Sequence, residues 1–76
     1  MAGDSLTLEG TVTRTHRGDL YSVRTPAIDR VLAKRSARLF KNAIRIIPGD
    51  RVTIEVSPYD TRRGRIVRRL DPVRTP

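Results

Sequence analysis

The clearest regularity in the chain is a strict alternation of polar and apolar residues over Arg51–Ser57. Every second residue there is a β-branched aliphatic: Val52, Ile54 and Val56. Since successive side chains of a strand point to opposite faces, this pattern predicts a strand with one buried face. The preceding Pro48-Gly49-Asp50 is typical of a turn, because proline fixes φ and glycine accepts a positive φ.

Shorter alternating segments upstream predict three more strands. Residues 6–13 and 20–25 are expected to form a hairpin around a turn at residues 16–19. A third strand is predicted over residues 28–33. Gly10 lies inside the first of these strands, where a glycine is typical of a bulge or a sharp bend.

The segment after the alternating strand predicts a turn-rich basic loop and a short final strand. Pro58 and Asp60 are turn formers. The arginine-rich residues 61–64 then lead into the β-branched pair Ile66-Val67, which predicts the last strand. Tyr59 is expected to anchor the turn against the body of the domain.

Residues 34–42 lose the period of two and contain helix formers. Ser36 suits the N-cap because its hydroxyl accepts a bond from a free backbone N–H, which predicts a short helix over Ala37–Lys41. A helix of this length needs tertiary contacts. Leu39 and Phe40 are available for packing, and we expect Phe40 to be a plug in the core.

Five short strands with a helix between the third and fourth match an all-β OB-fold, a five-stranded Greek-key barrel that often binds oligonucleotides. An SH3-like barrel also has five strands but does not normally carry a helix at that place. Periodicity does not reveal the strand order. We expect one domain over residues 1–70 and a flexible tail over residues 71–76, which contain two prolines.

Composition narrows the class of protein. The chain has 76 residues, 37% of them hydrophobic, and no cysteine, so we expect one small core without disulfides or thiolate metal ligands. No apolar run approaches the ~18 residues of a membrane span, and no secretory signal precedes the first strand. A cytoplasmic protein is expected.

The net charge of +8 is the feature of the composition that says most about the binding partner. All 16 basic residues other than Lys34 and Lys41 are arginine, whose guanidinium fits phosphate and stacks on bases. Residues 34–45, the first basic cluster, contain five basic residues and no acid. Residues 62–69, the second basic cluster, likewise contain five and no acid. Such clusters favour nucleic acid as the partner over an anionic membrane surface or a role in solubility alone.

Aromatic residues constrain the mode of binding. Tyr21, Phe40 and Tyr59 are too few for the stacking platform of cold-shock and single-strand-binding proteins. Tyr21 suits stacking on one base and packing in the core equally well. The charge pattern therefore predicts recognition of phosphate and shape in structured RNA.

Catalysis finds little support in the sequence. The single histidine, His16, has no second histidine or cysteine with which to bind a metal. Gly49 and Gly64 form no phosphate-binding loop. Asp50 and Asp60 lie in turns, where a carboxylate accepts backbone hydrogen bonds. We expect a non-enzymatic protein without a cofactor or a metal.

Several short motifs resemble one known family. They are EGTV at residues 9–12, RI-x-x-GD-x-V-x-x-E at residues 45–55, SPYD at residues 57–60 and GRIV at residues 64–67. Together they resemble bacterial translation initiation factor one over about residues 6–69. The resemblance implies an OB-fold that binds rRNA of the small ribosomal subunit at the A-site decoding region, blocks premature tRNA occupancy and works with initiation factors two and three. A monomer off the ribosome is expected.

The resemblance also supplies candidate contacts. Arg38 keeps the family's charge and Tyr21 its aromatic character, while the family's residue type is kept at Ser36, Lys41, Asn42, Arg45, Arg65 and Arg69. Combined with the two basic clusters, the residues predicted to contact RNA are Tyr21, Lys34, Arg35, Ser36, Arg38, Lys41, Asn42, Arg45, Arg62, Arg63, Arg65 and Arg69.

Departures from the family pattern concentrate in and after the helix, at Ala37, Phe40 and Ala43. A primary factor and a divergent paralogue are both compatible with them. The alternative functions are a cold-shock-like RNA chaperone or antiterminator and a structural ribosome-associated OB protein. The first needs more exposed rings, and the second would stay on ribosomes through high-salt washing.

Overall fold

Five strands and one short helix make up the protein in a computed structural model, which describes residues 5–70. The elements are β1 (Leu6–His16), β2 (Leu20–Arg24), β3 (Val31–Arg35), α1 (Ala37–Lys41), β4 (Arg51–Ser57) and β5 (Asp60–Arg69). The tail expected over residues 71–76 lies outside the described residues.

The strands close into a barrel in the order β1-β2-β3-β5-β4, and β4 pairs back onto β1. All pairs are antiparallel except β3 with β5, which run parallel. Because parallel neighbours need a crossover, α1 and β4 separate these two strands in the sequence. This closed five-stranded barrel, with a helix between β3 and β4, confirms the predicted OB-fold.

Alternating inward side chains fill the barrel. In β4, Val52, Ile54 and Val56 are at most 2% exposed, as the alternation predicted. The buried apolar residues are Val12, Tyr21, Val23, Val31, Ala33, Leu39, Ile46, Val52, Ile54, Val56 and Ile66. Burying one such aliphatic side chain contributes about 1.5–3 kcal/mol. The core therefore supplies the stability that lets the surface remain strongly basic.

β1 pairs with β4 along its first half and with β2 along its second. Its register shift lies between Val12 and Arg14, so the irregularity predicted at Gly10 occurs further along the strand. Gly10 has another role, because a Cβ there would lie 2.6 Å from the Arg24 carbonyl oxygen and 2.6 Å from Val23 Cγ1. β2 thus approaches β1 more closely than a side chain at this position allows.

β3 begins three residues later than predicted and ends two residues later. The segment before it forms a turn, because Thr25 N–H donates to the Ile28 carbonyl at 2.9 Å and Ile28 N–H donates to Thr25 Oγ1 at 2.7 Å. Lys34 pairs with β2, and Arg35 with β5. These two basic residues therefore belong to a strand and not, as predicted, to the helical segment.

The predicted basic loop before the last strand is wrong. The turn between β4 and β5 consists only of Pro58 and Tyr59, and Tyr59 is 87% exposed, not anchored. Arg62 and Arg63 lie in β5, whose pairing with β3 begins at Arg63. The first part of this strand was missed because it has no apolar residue before Ile66, so pairing with neighbouring strands overrides the local pattern.

Helix α1 is capped as predicted. Ser36 Oγ accepts a hydrogen bond from Leu39 N–H at 3.3 Å, and Ser36 N–H donates to the Ile66 carbonyl of β5 at 2.9 Å. Leu39 is 7% exposed and provides the core contact, whereas Phe40 is 62% exposed, so the predicted plug is wrong. Adjacent helical positions are about 100° apart, so a helix docked by one side buries only one of the two.

A cluster around Arg35 joins three segments on the rim of the barrel. Arg35 Nε donates to Asp19 Oδ1 at 2.7 Å, and Nη1 donates to the Ile44 carbonyl at 2.9 Å. The guanidinium carbon lies 5.0 Å from the centroid of the Phe40 ring, within cation–π distance. With its side chain 17% exposed, Arg35 connects the β1–β2 turn, β3 and the segment after α1.

Tyr21 extends this cluster into the core. Its hydroxyl donates to Asp19 Oδ1 at 2.8 Å, and the residue is 8% exposed. Burial raises the pKa of Tyr21 and the hydrogen-bonded Asp19 carboxylate raises it further, against an opposing effect of Arg35. The phenol therefore remains a hydrogen-bond donor, and of the two roles open to Tyr21 the structure selects core packing.

Substituting Gly10→Ala is expected to lower the free energy of unfolding by about 1–3 kcal/mol, because the new methyl overlaps the Arg24 carbonyl and the Val23 side chain. Urea denaturation measures the change. Thr11→Ala, at an exposed position next to it, is the control and should stay within about 0.5 kcal/mol. Equal midpoints for the two variants would contradict the close approach of β1 and β2.

Substituting Arg35→Met retains the aliphatic stem but removes both hydrogen bonds, which leaves Asp19 and the Ile44 carbonyl without this partner. We expect a loss of about 1–3 kcal/mol in unfolding free energy. Arg63→Met removes an exposed arginine with no ion pair among residues 5–70, and should change stability by less than about 0.5 kcal/mol. Thermal unfolding of both proteins tests the difference, and similar losses would refute a special role for Arg35.

Candidate RNA-binding surface

The two basic clusters, residues 34–45 and residues 62–69, meet where α1 packs against the end of β5. The hydrogen bond from Ser36 N–H to the Ile66 carbonyl fixes this junction. A groove runs along it, lined by Arg38, Leu39, Asn42, Ile44, Val67, Arg68 and Arg69. Its apolar residues are buried or half-buried, and no acidic side chain lines it. The groove is therefore a depression of mixed character, in which three apolar side chains lie beside three arginines.

Arg69 connects the two clusters directly. Its Nη1 donates to the Arg45 carbonyl oxygen at 2.9 Å, across 24 residues of sequence. This bond orients the guanidinium at the edge of the groove and uses one of its five N–H donors. The remaining donors stay available to a ligand.

Most cations of the two clusters have no partner within residues 5–70. Their side chains make neither a hydrogen bond nor an ion pair there, and all of them are exposed: Lys34, Arg38, Lys41, Arg45, Arg63 and Arg68. Cations without acidic neighbours maintain a positive potential that attracts phosphate and releases counterions when phosphate binds. This set has the chemistry of a nucleic-acid backbone site.

Two further arginines of the second basic cluster are in weak ion pairs. Arg62 Nε lies 3.7 Å from Asp60 Oδ1, and Arg65 Nη2 lies 3.4 Å from Glu55 Oε1. The arginine side chains are 86% and 61% exposed. Exposed pairs of this kind contribute about 0–1 kcal/mol, so a phosphate could replace the carboxylate at small cost.

The second basic cluster extends along β5 and does not form one compact patch. Arg62 and Arg63 line a separate depression near the start of the strand, whereas Arg68 and Arg69 border the groove at its end. Six residues at about 3.3 Å each place roughly 20 Å between Arg63 and Arg69. The basic surface is therefore a ribbon that leads to the groove.

Three further predicted contacts, Tyr21, Arg35 and Ser36, also have partners within the fold. Tyr21 is buried and offers no ring face for stacking. Arg35 is engaged by Asp19 and Ile44, and the Ser36 hydroxyl caps α1. Direct RNA contacts by Tyr21 and Arg35 stay a prediction, and in this structure both side chains are engaged within the fold. Asn42 keeps an exposed position in the groove, one residue past the end of α1.

Arg68 belongs to the surface although it was not among the predicted contacts. If side-chain directions simply alternated along β5 from the buried Ile66, Arg68 would point into the barrel. The register between β4 and β5 shifts at this point, because Ile66 pairs with Ile54 whereas Arg68 pairs with the adjacent Thr53. The extra residue, Val67, turns Arg68 outward. In the sequence, the only signal for an exposed Arg68 is its place in the second basic cluster. Simple alternation along the strand indicates the opposite direction.

The described residues contain no other chemical centre of note. Nowhere in residues 5–70 do three His, Cys, Asp or Glu residues lie together as metal ligands would. His16 Nε2 shares a hydrogen bond with Ser22 Oγ at 2.8 Å. The described part of the chain also has no helix with the length and apolarity to span a membrane.

Comparison with known proteins places the chain among translation factors. The family model described as translation initiation factor 1A / IF-1 matches residues 2–75. Chloroplastic translation initiation factor IF-1 from Acorus calamus var. americanus is 46% identical over 70 residues, which is 92% of this chain and 91% of that protein. The same protein from Acorus calamus is 46% identical over the same length.

Solved structures agree with this result. The solution structure of translation initiation factor IF-1 from the wolbachia endosymbiont strain TRS of Brugia malayi has a TM-score of 0.75 and 32% identity, covering 95% of this chain and 85% of that one. The crystal structure of YjeQ from Thermotoga maritima has a TM-score of 0.67 and 26% identity, but the match covers 23% of that chain. Sequence and structure together show that the chain belongs to the translation initiation factor 1A / IF-1 family.

Proposed function

We propose that this protein binds rRNA of the small ribosomal subunit at the A-site decoding region and acts there as a translation initiation factor. The observation that carries the proposal is the acid-free groove between α1 and the end of β5, which is lined by Arg38 of α1 and Arg68 of β5. Family membership supports the ribosome as the place where such a surface would be used.

The binding mechanism follows from the distribution of charge. Arg38 and Arg68 are exposed and carry no acidic partner among the described residues, so both guanidinium forks are available for phosphate. Arg69 is oriented by the Arg45 carbonyl and can reach the same RNA segment. Contacts of this type read the path of the backbone and not its bases, which suits a folded rRNA.

Occupancy of a site is enough for this function. A rigid barrel held in the decoding region would exclude tRNA by volume, so no reacting group is required. We propose that the protein works there with initiation factors two and three, is a monomer off the ribosome and has no catalytic role. Its location would be the compartment that holds its ribosomes, either the cytoplasm or an organelle.

The cold-shock-like alternative is less well supported. Such proteins stack successive bases on several rings of one sheet surface. The exposed phenylalanine and tyrosine rings among residues 5–70 are Phe40 on α1 and Tyr59 in the β4–β5 turn, and neither lies on a strand of the barrel. A structural ribosome-associated protein shares the basic surface, so the reversibility of binding separates that alternative from a factor.

Chemical footprinting on purified small subunits tests the proposal. We expect the protein to protect decoding-site nucleotides, to leave the subunit when salt is raised, and to bind naked single-stranded RNA much more weakly. Absence of decoding-site protection, or equal affinity for naked single strands, would refute the initiation role. Retention through high-salt washing would favour a structural component.

Arg38→Ala and Arg68→Ala are each expected to weaken small-subunit binding and to reduce the slope of log affinity against log salt by about 1, because each removes one phosphate contact. Titrations across a salt series measure the slope. Arg24→Ala removes another exposed arginine at the end of β2, where the neighbouring groove also contains Glu9, and it serves as the matched control.

The comparison with the control decides whether the groove is the contact surface. Equal slopes for Arg24→Ala and the two groove variants would show only a general effect of net charge. If both groove variants kept the salt slope of the unsubstituted protein, the groove would not be part of the proposed interface.

A further inference from the structure

The ring of Phe40 is held in one orientation although it is largely exposed. The residue is 62% exposed, and the Arg35 guanidinium carbon lies 5.0 Å from the ring centroid. Arg35 is itself fixed by Asp19 at 2.7 Å and by the Ile44 carbonyl at 2.9 Å. One face of the ring is therefore occupied by a positioned cation, and the opposite face is left for a ligand.

The position of Phe40 on α1 relates it to the groove. Helical positions are about 100° apart, so Phe40 and Arg38 lie on opposite flanks of the helix with the buried Leu39 between them on the inner side. The outward surface carries Lys41, which is exposed and has no ion pair among the described residues. A ligand strand that crosses α1 from the groove would contact Arg38, then Lys41 and then the Phe40 ring.

The charges around the ring favour RNA over a protein as its partner. Lys41 is unpaired within residues 5–70, and the acid in this cluster, Asp19, is neutralised by Arg35. The exposed Arg17 lies in the β1–β2 turn, two residues before Asp19. A flat apolar ring among cations suits a nucleobase, whose π-face stacks while its phosphate is attracted.

We infer that Phe40 is a stacking site for one unpaired RNA base, presented by a backbone segment that the cations of α1 hold. The inference rests on the proposed function, because it assigns a base contact within the same RNA interface. The Arg35 guanidinium supports the ring from behind, so that little ordering is needed on binding. Stacking of this kind is largely insensitive to base identity.

Phe40→Ala tests the inference in small-subunit titrations. We expect binding about 5- to 100-fold weaker, in line with the usual effect of removing one stacking ring. The salt slope should stay unchanged, since an uncharged ring releases no counterions. Phe40→Tyr keeps the ring and should keep the affinity, and Tyr59→Ala, which removes the other highly exposed ring, should have no effect.

A fluorescence measurement provides a second readout that does not need the ribosome. The chain has no tryptophan, so Phe40→Trp introduces a single reporter. We expect an oligoadenylate of about 8 nucleotides to quench its emission and a fully paired RNA duplex to leave it unchanged. Tyr59→Trp, before the start of β5, is the matched reporter and should not respond.

The possible outcomes separate this inference from the proposed function. If the unsubstituted protein binds small subunits and Phe40→Ala binds them equally well, base stacking is refuted while the factor role stands. If the unsubstituted protein fails to bind small subunits but oligoadenylate quenches the emission of Phe40→Trp, stacking stands without the factor role. A weaker Phe40→Ala together with an unresponsive Phe40→Trp would refute stacking and favour a protein contact. Circular dichroism checks that each variant stays folded.

Discussion

The parallel pairing of β3 with β5 is the contact on which the basic surface depends. Because of this pairing, the chain passes from β3 through α1 and β4 before β5 takes its place between β3 and β4. The same pairing continues into the hydrogen bond from Ser36 N–H to the Ile66 carbonyl, which fixes the start of a helix too short to be stable alone. Two basic clusters that are separate in sequence thereby become neighbours across one groove.

Arginines in similar sequence surroundings have different functions in this protein. A guanidinium removed from water needs acceptors for its donors, and Arg35 finds them in Asp19 and the Ile44 carbonyl. Arg38, three residues later, is exposed and has no such partner among residues 5–70. The high net charge therefore divides into a part that joins elements of the fold and a part that remains for phosphate. Arg35 belongs to the first group, and by packing against Phe40 it also supports the exposed surface.

The sequence by itself determined the features that arise between near neighbours in the chain. The alternation over Arg51–Ser57 predicted the strand and its buried face, and Ser36 predicted the cap of α1. The turn carboxylates also behave as expected, because Asp50 Oδ2 accepts from Ile47 N–H at 3.1 Å. Short motifs indicated the family and hence the OB-fold. The strand, the cap and the turn were predictable because each rests on the backbone preferences of a few consecutive residues.

Only the tertiary structure decided which charges and rings face a ligand. Arg63 belongs to a strand because β3 pairs with it, and Arg68 faces outward because an extra residue in β5 shifts the register against β4. Arg35 is engaged within the fold by partners that lie 16 and 9 residues away in the sequence. Phe40 is exposed because the docking of α1 buries Leu39 instead. Local periodicity describes the two faces of one element, whereas pairing, bulges and ion pairs join residues far apart in the chain.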